Sequence, residues 1–67
     1  MKISARNQLS GTIATTKLGA IMAEVVIDVE AGSIVAAITR GSAESLELKA
    51  GDKVTVIIKS TEVMIGK

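Results

Sequence analysis

The 67-residue sequence predicts a single all-β domain, 1–67, in which five short strands and one short helix form a small Greek-key barrel. Three observations predict it. Apolar and acidic residues alternate through 21–30, the period-2 signature of a half-buried strand. Short strand-forming apolar runs recur at 34–39, 54–58 and 62–65. Glycine- and serine-bearing turns separate the runs, and one of them opens onto a short stretch of helix formers.

Taken in order, residues 3–16 carry Ile3, Leu9 and Ile13 among serines and threonines and form the first strand. Gly11 interrupts it, where a bulge or sharp bend is expected. Lys17-Leu18-Gly19-Ala20 is the turn. The second strand, 21–30, sets Ala23, Val25, Ile27 and Val29 on one face and Glu24, Asp28 and Glu30 on the other. Val26 breaks the polar face and is a candidate subunit contact. Ala31-Gly32-Ser33 turns the chain into a third strand, 34–39, apolar on both faces. Ser42 suits a helix N-cap, because its hydroxyl accepts from an unpaired N–H of the first turn. Glu44 stands where the helix dipole favours an acid. Ala43, Leu46, Leu48 and Ala50 supply the apolar contacts of about two helical turns, and Lys49 and Gly51 supply the stop. The fourth strand is 54–58 and the fifth 62–65, with Lys59-Ser60-Thr61 between them. This element order matches a barrel of the oligonucleotide/oligosaccharide-binding type. The alternative arrangement is an open, intertwined β dimer.

Size and composition narrow the function. A chain this short buries only about 60% of the surface its unfolded form exposes. Small scaffolds need a staple. With no Cys and no His, disulfides are excluded and a structural zinc is disfavoured. Oligomerisation remains, so part of the 48% hydrophobic content reads as subunit interface. The competing reading is an unusually tight aliphatic core. The net charge of +1 and the absence of any aromatic residue argue against nucleic acid as a partner. No apolar run approaches the ~18 residues of a membrane span. Met1-Lys2-Ile3-Ser4 leads into no apolar signal segment, so a cytoplasmic protein without membrane partners is expected. Catalysis is not expected. There is no His or Cys to serve as base or nucleophile, the acids of 21–30 lie along one solvated face, and Lys59 and Ser60 are adjacent, so in a strand they would point apart.

What the chain does carry is hydrogen-bond donors, clustered at its two ends. Ser4-Ala5-Arg6-Asn7-Gln8 lies near one end and Lys59-Ser60-Thr61 near the other. An oxyanion presents acceptors and no donors. Hydroxyls, backbone N–H groups and cations therefore hold it, and charge-assisted bonds are roughly twice as strong as neutral ones. Arg6 offers a planar fork and Lys59 a compact charge. Ser4 and Arg6 share one face of an extended chain. A third candidate, Thr39-Arg40-Gly41-Ser42, leads into the expected helix N-terminus. The plainer reading leaves Ser4 and Thr39 on a solvated face, Ser42 as a cap, and Arg6 and Lys59 solvated or paired with Glu44 or Glu62.

The run Ser4-Ala5-Arg6-Asn7-Gln8-Leu9-Ser10-Gly11 resembles the N-terminal signature of the molbindins, small molybdate-binding proteins. The resemblance continues through Glu30, Ile34, Thr39, Ser42, the stretch from Leu46 to Asp52, and Lys59-Ser60-Thr61-Glu62-Val63-Met64. It implies a five-stranded barrel assembled as a homo-hexamer, a trimer of dimers. It also implies that molybdate or tungstate is bound between subunits for storage, buffering or homeostasis. The implied oxyanion ligands are Ser4, Arg6, Lys59 and Ser60 of one subunit with Thr39 and Ser42 of its neighbour. A second kind of site near a three-fold axis is implied too, with the turn at 17–21 as its candidate. Two other functions remain open at this point: a swapped-hairpin DNA-binding factor, whose members share the Leu48-Lys49-Ala50-Gly51-Asp52 type of stretch, and a purely structural oligomerisation module.

Overall fold

Which residues pair follows from where the apolar side chains can be buried. The computed structural model describes residues 2–67. It contains four strands: β1 (Asn7–Leu18), β2 (Met22–Val29), β3 (Gly32–Thr39) and β4 (Lys53–Ile58). Helix α1 (Arg40–Ser45) joins β3 to β4, and a 3₁₀ turn, Ser60–Glu62, follows β4. The strands form one antiparallel sheet in the order β3-β2-β1-β4. Its inner face collects Ile13, Val25 and Ile27, with Val29, Ala36, Ile38, Leu48, Val54 and Val56 packed against them. Ala23, Val25 and Ile27 are buried while Glu24 and Asp28 are exposed, so the alternation read in 21–30 sets the register.

β1 is the longest strand because its two partners take successive halves of it. Its first half pairs with β4, from Asn7↔Ile58 to Thr12↔Lys53, and its second half with β2. It begins four residues later than the serine- and threonine-rich pattern suggests. The register shift lies between Ile13 and Thr15, not at Gly11. Gly11 marks a close approach instead. A Cβ there would stand 2.5 Å from Ile27 Cγ2 and 2.9 Å from the Asp28 carbonyl oxygen. Gly11→Ala is therefore expected to destabilise the fold by about 1–3 kcal/mol, the usual range for overpacking, in urea unfolding followed by circular dichroism. An unchanged midpoint would contradict the close approach.

Two expectations are corrected. The helix is shorter than 42–50 and starts earlier. Thr39, not Ser42, is its N-cap, and the Thr39 side chain accepts from the Ser42 N–H at 3.1 Å. The helix ends at Ser45, and Glu47, two residues on, takes the left-handed conformation with φ 53, well before Gly51. Leu48 N–H bonds Ala43 O at 3.1 Å and Glu47 N–H bonds Glu44 O at 3.0 Å, the paired closure of a Schellman motif. Leu46 and Leu48 thus lie beyond the helix, and only Leu48 joins the core. The second correction concerns the fifth strand. Among the described residues, 62–65 forms none. Glu62 N–H bonds Lys59 O at 2.9 Å, and this local closure turns the chain after β4. The sheet is four-stranded among the described residues, and Met64 and Ile65 are 92% and 90% exposed. Among the described residues no helix is long and apolar enough to cross a membrane.

Candidate functional site: a donor-lined cleft at the end of the β1–β4 ladder

The β1–β4 ladder ends at the pair Asn7↔Ile58. In an antiparallel pair, the residues just before one strand and just after the other emerge side by side. Continued one step, this register sets Arg6 opposite Lys59. The two donor clusters at the ends of the chain therefore meet at one end of the sheet. They line an open cleft of about 510 Å³, bounded by Ile3, Ser4, Ala5, Arg6, Ile57, Lys59, Ser60 and Thr61.

Each wall has a local cause. Residues 3–6 are not strand, so Ser4 and Arg6 do not share a strand face as the sequence suggests. The segment is instead tied back by Gln8, whose Nε2 donates to Ala5 O at 2.7 Å. Opposite it, Lys59 caps the 3₁₀ turn and Ser60 begins it. The first N–H groups of such a turn have no partner within it. Ser60 and Thr61 thus add backbone donors beside the Ser60 hydroxyl and the Lys59 ammonium. The apolar members Ile3, Ala5 and Ile57 were not among the sequence candidates, since nothing in the sequence distinguishes them from core residues.

The electrostatics of the cleft are one-sided. Among the described residues the ion pair is Arg40–Glu44, and neither Arg6 nor Lys59 has a carboxylate partner. Of the plainer reading, the pairing with Glu44 or Glu62 is absent among the described residues, and both cations are exposed to solvent. Two cations beside one cleft with no carboxylate partner favour an anion there, which could accept from both.

Thr39 and Ser42 lie elsewhere, at the β3–α1 junction, and do not line this cleft. They form a pair of their own: Thr39 Oγ1 donates to Ser42 Oγ at 2.9 Å while accepting the Ser42 N–H. Both are exposed. Of six candidate ligands, the subunit brings four together and leaves two on a separate surface. The turn at 17–21 borders a third region, a hollow of about 340 Å³ that includes Lys17, Glu24 and Ala37.

Fold and cleft together define a small antiparallel β module bearing an unpaired cationic, hydroxyl-rich site. Residues 3–65 match the TOBE domain, and the chain belongs to the TOBE-domain family. It is 48% identical to molybdenum-pterin-binding protein 1 of Clostridium pasteurianum, with 97% of each chain covered. It superposes with a TM-score of 0.94, 45% identity and full coverage of both chains on a molybdate-binding protein from Sporomusa ovata. A third likeness is to the cytoplasmic molybdate-binding protein ModG with molybdate bound: TM-score 0.83, 46% identity, 90% of this chain and 43% of that one.

Proposed function

We propose that this chain is a non-catalytic molybdate-binding module that holds the oxyanion between copies of itself. Ser4, Arg6, Lys59 and Ser60 of one copy form one wall of the site. Thr39 and Ser42 of a neighbouring copy close it. The observation that carries this reading is the convergence of Arg6 and Lys59, with hydroxyl and backbone donors, in one cleft that holds no carboxylate. The names of the similar proteins support the choice of molybdate over other oxyanions.

The need for a second copy rests on apolar surface. Among the described residues eleven large hydrophobic residues are exposed, including Ile21, Val35, Leu46, Met64 and Ile65, against five residues in the buried core. So many exposed large apolar side chains for so small a core fit a chain that buries part of them against another copy. A homo-hexamer, built as a trimer of dimers, is the assembly we propose, with tungstate as an alternative ligand. Storage or buffering of molybdate in the cytoplasm is the role that fits a binding site without catalytic groups.

Isothermal titration with molybdate, tungstate, sulfate and phosphate tests the reading. Saturable heat with molybdate and tungstate, and weak or no heat with sulfate and phosphate, is expected. No heat with molybdate, or equal affinity for sulfate, would sink it.

A further inference from the structure

Helix α1 has only six residues, far fewer than the ~12–15 below which an isolated helix is marginal. Its direction, and with it the Thr39–Ser42 hydroxyl pair, must be set by contacts to other parts of the chain. Ala43 provides one by burial. Arg40, which lies between Thr39 and Ser42, provides the others. Its backbone N–H donates to Ile21 O at 2.6 Å, its Nη1 donates to Gly19 O at 3.4 Å, and its Nε pairs with Glu44 Oε1 at 2.5 Å. One side chain thus links the first turn of α1 to the β1–β2 turn. That turn is itself held by Gly19 N–H on Met22 O at 2.7 Å. Thr39 pairs with Met22 across the β2–β3 ladder, so strand, turn and helix meet around this one residue.

We propose that Arg40 is a positioning residue. It orients the Thr39–Ser42 pair toward the oxyanion through Glu44 and the Gly19 carbonyl, and it does not serve as a cation for the ligand. The inference rests on the oxyanion reading above. Its chemistry separates it from a direct electrostatic role by sign. If Arg40 attracted the anion through its charge, Glu44 would oppose binding and its neutralisation would tighten it. If Arg40 and Glu44 form a strut, loss of either weakens binding.

The test is molybdate titration of the assembled wild-type protein and of Arg40→Ala, Arg40→Lys and Glu44→Gln, with assembly size and thermal midpoint measured beside each. Arg40→Ala is expected to weaken molybdate binding by about five- to tenfold, the effect of one lost hydrogen bond, and Glu44→Gln, whose neutral amide oxygen accepts a weaker bond from Arg40, by about two- to fivefold, with assembly size unchanged. Arg40→Lys should not restore affinity, because a single ammonium lacks the fork that spans Glu44 and Gly19. Tighter binding by Glu44→Gln, full rescue by Arg40→Lys, or wild-type affinity in all three would overturn the strut. Should Arg40→Ala disassemble, the near-isosteric Glu44→Gln decides alone. A wild-type protein that takes no molybdate sinks the oxyanion reading and the strut with it, whereas wild-type binding with unaffected variants sinks the strut only.

Discussion

Lys59→Ala is expected to weaken molybdate binding by about 10- to 100-fold, the loss of one charge-assisted hydrogen bond of roughly 1.5–3 kcal/mol. Arg6→Ala should do the same. The reason lies in the β1–β4 register, which brings both cations to the same end of the sheet with no carboxylate between them. In the absence of ligand neither cation makes an ion pair among the described residues. The ligand-free thermal midpoint should therefore hold, while the rise caused by saturating molybdate shrinks. A ligand that binds the native state must stabilise it by mass action, so the two midpoints separate binding from folding. Titration calorimetry and light scattering on the same samples check this. Assemblies that fall apart on either substitution, with binding intact in what remains, would contradict the assignment of both charges to the ligand.

The second large effect concerns folding. Ile13→Ala should cost about 2–5 kcal/mol, the range for truncating a buried isoleucine. Ile13 is 2% exposed and central to the core, against Val25 and Ile27. Its backbone also joins β1 to the segment before β4: Ile13 N–H donates to Asp52 O at 2.9 Å and Gly51 N–H donates to Ile13 O at 2.8 Å. At roughly 0.05–0.15 kcal/mol per residue, a domain of this length holds only about 3–10 kcal/mol in total. The loss is a large share of that total. Urea titration monitored by circular dichroism reads the change. A loss below about 1 kcal/mol would mean that contacts between subunits, not this core, carry the fold.

The strands with one buried and one wet face were legible in the sequence. In β2, Ala23, Val25 and Ile27 against Glu24 and Asp28 leave only one register that buries the apolar set. The ends of elements were less legible. Thr39 and Ser42 are both capping residues three positions apart, and only the backbone shows that Thr39 caps while Ser42 donates to it. The helix stop after Ser45 was hidden because the left-handed residue that closes it is Glu47, and glutamate does not signal such a turn as Gly51 does. The run 62–65 is apolar enough for a strand, but no edge of its own subunit pairs with it among the described residues. Four of the six candidate ligands were legible as two donor clusters, and the other two as a third candidate at the expected helix start. That the two clusters meet follows from the pairing of β1 with β4, a long-range fact that spacing does not contain. Thr39 and Ser42 stand apart from that cleft within the chain, so the proposed closure of the site by them needs a second copy.

The central claim is that the oxyanion site is shared between copies, and complementation between defective subunits tests it most directly. One variant, Arg6→Ala with Lys59→Ala, keeps Thr39 and Ser42 but lacks the cationic wall. The other, Thr39→Val with Ser42→Ala, keeps the cationic wall but lacks the closing hydroxyls. Each alone should bind little molybdate. Co-expressed and randomly assembled, they should recover about one quarter of the wild-type sites, the fraction in which an intact cleft faces an intact hydroxyl pair. Mixed assemblies that stay empty, or a Thr39→Val, Ser42→Ala variant that binds molybdate as well as the wild type by itself, would contradict the claim.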